Sequence, residues 1–314
     1  MAEVNGRNKI FIVNAVEIKN VSKSYGDHLA VSNLDLNVPE GSVYGFIGPN
    51  GSGKTTTIRM ILHIILPDTG TIDVMGKAGT RAANDQIGYL PEERGLYKKM
   101  TVGRLLLYYA TIKRLQKADA KAQADLWLER MGLQDWKNKK IEALSKGMAQ
   151  KVQFIATVIS RPKLVILDEP FSGLDPVNLD VIRQAILALK AQGTTVIFST
   201  HDMEMAERMC DSIFMIYQGR KVLDGTLNEI QEQYGEDTIR MSGEGDKRGL
   251  VNLPGVLDVR DFGQYQELRF TGNPQDLLKQ LVGIIDIQSF AVSKPSLHDI
   301  FVRIASPKGT PNNE

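Results

Sequence analysis

The 314-residue chain has one cysteine, Cys210, so neither an internal disulfide framework nor a cysteine-based zinc cluster is available to it. Long hydrophobic runs are missing too. The most apolar stretch, Ile58–Leu66, is nine residues long and holds Arg59 and His63, well short of the roughly 20 residues that span a bilayer. The first 13 residues place Glu3, Arg7 and Lys9 ahead of a four-residue apolar patch, too small for a signal-peptide core. Charge of one sign is also lacking. The 38 basic and 37 acidic side chains leave a net charge of +1, which offers no global pull toward nucleic acid or a membrane surface. These absences lead to the expectation of a soluble, cytoplasmic chain from a reducing compartment. With 42% hydrophobic residues it has the means to bury a substantial core.

Length alone suggests about two domains, and the patterning divides them. Residues 15–38 alternate apolar and polar positions around a turn at Tyr25-Gly26-Asp27, which predicts an antiparallel β section. A short apolar strand over Val43–Ile47 leads through a glycine-rich loop into a helix that Pro67 is expected to stop. Asp68-Thr69-Gly70 reads as a turn, and Ile87–Leu90 as another strand. Residues 98–160 are helical in period, and the unbroken apolar runs Leu164–Leu167 and Val196–Phe198 read as strands buried on both faces. The expected fold is α/β, a mostly parallel core sheet with an antiparallel β section and an α-helical insertion. The expected segments are an N-terminal extension over 1–14, a main domain over 15–235, a small α+β domain over 236–305 and a disordered tail over 306–314. Within the small domain, Met241–Gly249 is rich in Gly, Ser and charge and reads as a linker or loop. The last 79 residues hold 9 basic and 11 acidic side chains (positions 236–314), so they form no basic nucleic-acid module.

The chemistry concentrates in a few places. Gly48-Pro49-Asn50-Gly51-Ser52-Gly53-Lys54-Thr55 fits G-x-x-x-x-G-K-[ST], and it lies between a predicted strand and a predicted helix. Glycines let the backbone curl so that its N–H groups face phosphate oxygens, and the helix start adds the positive end of its dipole. Lys54 can then reach the β- and γ-phosphates, and Thr55 can offer its hydroxyl to Mg²⁺. Asp168-Glu169, at the end of a buried apolar strand, supplies two adjacent carboxylates. One can hold the metal while the other orients or deprotonates water. Between these lies Leu144-Ser145-Lys146-Gly147-Met148, a serine at a helix start that by itself is read as a cap.

Taken together, the phosphate loop, this Ser-x-Gly helix start, Asp168-Glu169, Ser172-Gly173-Leu174-Asp175 and Ser199-Thr200-His201 resemble the ATP-binding cassette (ABC) family over residues 15–230. The resemblance implies a P-loop cassette that hydrolyses Mg-ATP in a head-to-tail dimer, homomeric or heteromeric, with each ATP held between two subunits. It implies ATP contacts from Tyr25, stacked on adenine, and from Gly48 through Thr56. Ser145, Lys146, Gly147 and Met148 would meet the nucleotide of the opposite subunit. Glu169 is implied as the catalytic base, His201 as the residue at the γ-phosphate, and Asp175 as the link between the two sites. Thr55, Asp168 and Glu92 would form the metal shell, and Glu92, Glu93 and Arg94 would couple to a separate transmembrane permease. His28, His63 and His298 match no motif and read as ordinary residues.

Two departures from the common family pattern stand out. Lys146 and Met148 replace a glycine and a glutamine of the usual signature, and Glu92 stands where many cassettes have glutamine. The wording Arg94-Gly95-Leu96-Tyr97 resembles cassettes of the export-permease type, including those of sodium-efflux and drug-export systems. A small α+β extension ending in a helix like Pro295–Phe301 is similar to that type as well. The alternative is a soluble cassette ATPase of translation or DNA repair. Members of that kind usually have paired cassettes, long coiled coils or zinc modules, and this chain has one cassette and one cysteine.

Overall fold

The computed structural model describes residues 13–78, 85–93, 95–234 and 237–305. The chain divides between Thr226 and Leu227 into two compact units, rather than after residue 235. Of the expected terminal segments, residues 1–12 and 306–314 lie outside the described residues, and Asn14 already belongs to the first strand.

The first unit opens with β1 (Asn14–Tyr25), β2 (His28–Pro39), β3 (Val43–Ile47), α1 (Lys54–Ile61), β4 (Thr69–Val74), β5 (Lys77–Ala78) and β6 (Ile87–Leu90). Three helices follow, α2 (Val102–Ile112), α3 (Lys117–Arg130) and α4 (Lys146–Val158). Then come β7 (Leu164–Asp168), α5 (Pro176–Ala191), β8 (Thr195–Thr200), α6 (Met203–Met209), β9 (Ser212–Tyr217) and β10 (Arg220–Gly225). Six strands make the central sheet in the order β10-β9-β3-β8-β7-β6. All neighbours in it are parallel except β9 and β10. A second, antiparallel sheet has the order β2-β1-β4-β5.

The apolar runs are unbroken because each strand feeds two cores. In β7, Leu164 and Ile166 join the core shared with the antiparallel sheet and α1, while Val165 and Leu167 join the core under the helices. Strand β8 divides in the same way, Ile197 to one side and Val196 and Phe198 to the other. A two-faced core needs apolar side chains at every position of the strand. The sheet is thereby rigid at its centre, and the carboxyl ends of β3, β7 and β8 fall side by side, where open α/β sheets place their ligands.

Two local expectations fail. Helix α1 stops at Ile61, well before Pro67. His63 takes a left-handed conformation, and the amide of Ile64 closes onto the carbonyl of Arg59 as in a helix-ending Schellman turn. Of the expected Asp68-Thr69-Gly70 turn, Thr69 and Gly70 are the start of β4. A Cβ at Gly70 would lie 2.4 Å from the carbonyl oxygens of both Lys19 and Asn20 on β1, so this glycine marks a close approach of strands.

The second unit comprises α7 (Leu227–Gln233), β11 (Asp237–Gly245), β12 (Val256–Asp261), β13 (Gln266–Phe270), α8 (Pro274–Val282), β14 (Ile285–Ser293) and α9 (Leu297–Ala305). Its antiparallel sheet runs β12-β13-β11-β14 over a core that includes Ile239, Met241, Leu268, Phe270, Leu277 and Leu281. The expected linker over 241–249 is therefore corrected. Residues through Gly245 belong to β11, paired with β13 up to Met241 and with β14 through Gly245, and only 246–249 lie outside the strand. Here again a glycine marks contact, for a Cβ at Gly243 would meet the carbonyl oxygen of Asp286 at 2.4 Å.

Candidate functional site

The loop between β3 and α1 is held open by glycines in conformations that other residues rarely adopt. Gly48, Gly51 and Gly53 have φ of 150°, 76° and 111°. A Cβ at Gly48 would come within 2.2 Å of the carbonyl oxygen of Ile216, and one at Gly53 within 2.7 Å of that of Ala30. Lys54 begins α1, and its Nζ donates back across the loop to the carbonyls of Gly48 (2.6 Å) and Pro49 (3.1 Å). No side chain caps this helix and no acidic residue sits in its first turn. Its N-terminal amides and dipole therefore face the cleft without competition.

That cleft has a volume of about 350 Å³. Asn50 through Thr56 form its floor, Asp168 and Glu169 one wall, and Tyr25 and Glu92 reach its rim. His28 and Ala30 line it as well. His28 was set aside in the sequence because it belongs to no motif. The signal available was its place across the hairpin from Tyr25, with which it pairs in register.

The two carboxylates are held in different ways. Asp168 ends β7 and is 1% exposed; its Oδ1 accepts from the Ser199 hydroxyl, whereas its Oδ2 is buried with no partner among the described residues. Glu169 turns out of the strand with φ of 49°, a strained left-handed conformation for a glutamate. Its amide donates to the Ser199 hydroxyl (3.0 Å) and carbonyl (3.2 Å), which secures the turn. Oε1 of Glu169 lies 3.0 Å from Nδ1 of His201, at the end of β8. An ionised carboxylate can only accept, so in that state Nδ1 has the proton. Burial pulls the Lys54 ammonium below its ordinary pKa, against the opposing attraction of Glu169, Asp168 and Glu92. A buried cation thus faces three anionic groups across a cleft floored by backbone amides, an arrangement suited to polyphosphate.

The donors also fit Mg²⁺. Thr55, Asp168 and Glu92 present hard oxygen ligands to one cleft, and the partnerless Asp168 oxygen needs a hydrogen-bond donor or a cation. Among the described residues no group of three His, Cys, Asp or Glu side chains could hold a metal alone. Mg²⁺ characteristically takes one or two carboxylates and completes its shell with substrate phosphates and water.

The remaining sequence-predicted residues lie elsewhere. Ser145 caps α4, its Oγ accepting from the amide of Met148 at 3.2 Å. Ser145, Lys146, Gly147 and Met148 do not line the cleft, and the first two are exposed. The Lys146 ammonium packs over Gly173, and Gly147 faces the Asn178 amide. Asp175 caps α5, accepting from the amides of Val177 (3.1 Å) and Asn178 (3.0 Å), and the Asn178 amide holds its carboxyl below the usual range. Glu93 is exposed beside Glu92, and Arg94 lies outside the described residues.

Comparison with known proteins identifies the arrangement. The ABC transporter family matches residues 31–172, and the C-terminal domain of DrrA1-3-like ATP-binding proteins matches residues 225–305. The chain is 41% identical to the ABC transporter ATP-binding protein YhaQ of Bacillus subtilis over 287 residues, 91% of this chain and 96% of that one. It is 34% identical to the Nod factor export ATP-binding protein I of Sinorhizobium fredii over 295 residues, 92% and 85% of the two chains. Among solved structures, the ATP-binding subunit of an ABC transporter superposes with a TM-score of 0.66 at 32% identity, over 70% of this chain and 93% of that one. CbiO1 of Clostridium perfringens, part of the transporter complex CbiONQ, gives a TM-score of 0.63 at 26% identity over 70% and 92%. With its phosphate loop, paired carboxylates and two-unit organisation, the chain belongs to the ATP-binding proteins of ABC transporters, which hydrolyse ATP to power transport.

Proposed function

We propose that this ATPase energises an exporter, working as a dimer of cassettes, homomeric or heteromeric, on the cytoplasmic face of a membrane-embedded permease encoded separately. The observation that supports it best is the cleft itself: Asp168 and Glu169 line it together with the phosphate loop, and His201 holds the Glu169 carboxylate at 3.0 Å. Lys54 and the backbone N–H groups of Gly48 and Asn50 through Thr56, with Pro49 shaping the turn between them, neutralise and orient the β- and γ-phosphates, and Tyr25 stacks on the adenine. Glu169 accepts the proton of the attacking water, and His201 holds that carboxylate in place beside the γ-phosphate. Thr55, Asp168 and Glu92 would hold Mg²⁺, which when bound would neutralise charge developing on the phosphates. Ser145, Lys146, Gly147 and Met148 of a second subunit close the cleft, and Asp175, packed through Asn178 against Gly147, links the two sites.

The permease would seat a helix in an apolar groove of about 390 Å³ beside the cleft. Its lining includes Leu62, Ile64, Leu96 and Ile112, with Pro91 and Gly95 flanking the Glu92–Arg94 segment proposed to sense the permease. A chain of edge-to-face rings, Tyr97–Tyr108 (5.8 Å) and Tyr108–Tyr109 (5.6 Å), borders it. Among the described residues no helix is long and apolar enough to cross a membrane, so this chain would rely on the permease to hold it there. The exporter direction rests on the Nod factor export relatives, and the alternative of translation or DNA repair finds no support in the relatives compared.

The test is Glu169→Gln in the full chain. Turnover is expected to fall by about 10²–10⁴-fold, the usual worth of a general base. ATP is expected to convert the protein from monomer to a long-lived dimer, read by light scattering. Wild-type turnover in this variant would remove Glu169 as the base.

A further inference from the structure

The nucleotide cleft and the apolar groove share a wall. Glu92 lines the cleft, whereas its neighbour Pro91 lines the groove together with Gln153 of α4. Gln153 is 5% exposed, and its Nε2 donates to the carbonyls of Pro91 (3.4 Å) and Glu93 (3.3 Å), the residues on either side of Glu92. Both partners are acceptors, so the amide can only turn its nitrogen toward them. Its Oε1 is buried with no partner among the described residues, a cost that an apolar side chain at this position would avoid. One turn further along α4, Thr157 Oγ1 donates to the carbonyl of Gln153 (3.0 Å) with that of Tyr89 at 3.4 Å, and a Cβ at Gly88 would lie 2.5 Å from the Thr157 carbonyl oxygen. Helix α4 is thus pressed against β6, and Gln153 extends that grip past the end of the strand to the residues flanking Glu92.

We propose that Gln153 is a positioning residue for the nucleotide site. By clasping the carbonyls of Pro91 and Glu93 it sets the place of the Glu92 carboxylate in the cleft, and it makes that place move with α4. The same helix begins at Ser145, so a second subunit engaging that end would be felt at Glu92 through Gln153. This rests on the reading of Glu92 as a residue of the metal shell.

Gln153→Leu in the full-length protein keeps the side-chain bulk and removes the amide. Mn²⁺, standing in for Mg²⁺, is titrated by electron paramagnetic resonance in the presence of a non-hydrolysable ATP analogue, and affinity for the analogue alone is measured in EDTA. The variant is expected to bind Mn²⁺ about fivefold more weakly, the size of one lost hydrogen bond, with affinity in EDTA within about twofold of wild type. Glu92→Ala is expected to lose at least as much, and the double variant no more than Glu92→Ala alone, because Gln153 acts through Glu92. Wild-type Mn²⁺ affinity in Gln153→Leu, or losses that multiply in the double variant, would overturn the inference. So would a lowered thermal midpoint with unchanged Mn²⁺ affinity, which marks a packing residue only. If Glu92→Ala itself binds Mn²⁺ as wild type does, the reading of Glu92 fails and Gln153 loses its role with it. A silent Gln153→Leu beside an impaired Glu92→Ala refutes the role of Gln153 alone.

Discussion

Two helices of the first unit begin with a lysine and a nearby glycine, and they are prepared for opposite situations. At α1 the preceding Gly53 offers no cap, Lys54 is buried, and the amides face a cleft of their own chain. At α4, Ser145 caps the helix with its own hydroxyl, and Lys146 stands exposed outside that cleft. The first end is preorganised, its cost met by glycine geometry and by anions across the cleft. The second is satisfied locally and can trade its cap for another acceptor only when one arrives from outside. Under the proposed function, one chain holds both halves of a nucleotide site without joining them.

The largest effect that separates the two ends should come from Lys54→Ala. Removing the ammonium from the phosphate loop takes away charge-assisted bonds, and nucleotide affinity by calorimetry is expected to drop by about 100-fold or more. Unchanged affinity would refute the assignment of the loop. The glycines come next. Gly53→Ala forces a side chain into a left-handed position against the Ala30 carbonyl, and is expected to destabilise the fold by about 1–3 kcal/mol in denaturant titration. Gly147→Ala meets no backbone but the Asn178 side chain, whose Nδ2 would lie at 2.9 Å and Cγ at 3.2 Å. Stability is expected to hold or rise by about 0.5–1 kcal/mol, as alanine favours a helix, while turnover falls through the proposed approach of a second subunit there. Equal destabilisation by both would erase the contrast.

Ser145→Ala should act more mildly on the isolated chain. Loss of the cap is expected to cost about 1 kcal/mol, with nucleotide binding to the monomer unchanged and turnover reduced. The smallest effect concerns Asp175. Its folded pKa is lowered, chiefly by the Asn178 amide, so its contribution is complete above the unfolded carboxylate pKa near 4 and is lost as pH falls through the folded value. Asp175→Asn should therefore flatten the decline of the thermal midpoint below about pH 4 and leave the slope between pH 6 and 8 as it is.

Much of the core was legible because its physical causes are local. The strand β7 over Leu164–Leu167 and, Gly45 apart, β3 show apolar side chains toward the cores, and the helical period of Ile182, Ala185, Ile186 and Leu189 matches the buried face of α5. Of the candidate site, the phosphate loop and Asp168-Glu169 lie where a strand–loop–helix pattern and a strand end put them. What was misread turned on glycine. Gly70 and Gly243 resembled turn or linker residues, yet each lies in a strand where another backbone passes too close for a Cβ. Composition cannot distinguish a glycine chosen for a turn from one chosen for space. The grip of Gln153 on the residues around Glu92 was invisible for a related reason, since it depends on segments far apart in the chain, whereas the place of His28 follows from its pairing with Tyr25 across a short turn.

From residue order alone came the nucleotide chemistry, the family resemblance and the alternation of strands and helices, because backbone conformation and buried periodicity are written over a few neighbouring positions. Only the tertiary structure decided that Glu169 reaches His201, that Asp168 keeps one oxygen without a partner among the described residues, and that Ser145 stands apart from the cleft. Those relations depend on how sheets and helices pack. A shift of an ångström makes or breaks a hydrogen bond there and leaves no trace in local sequence.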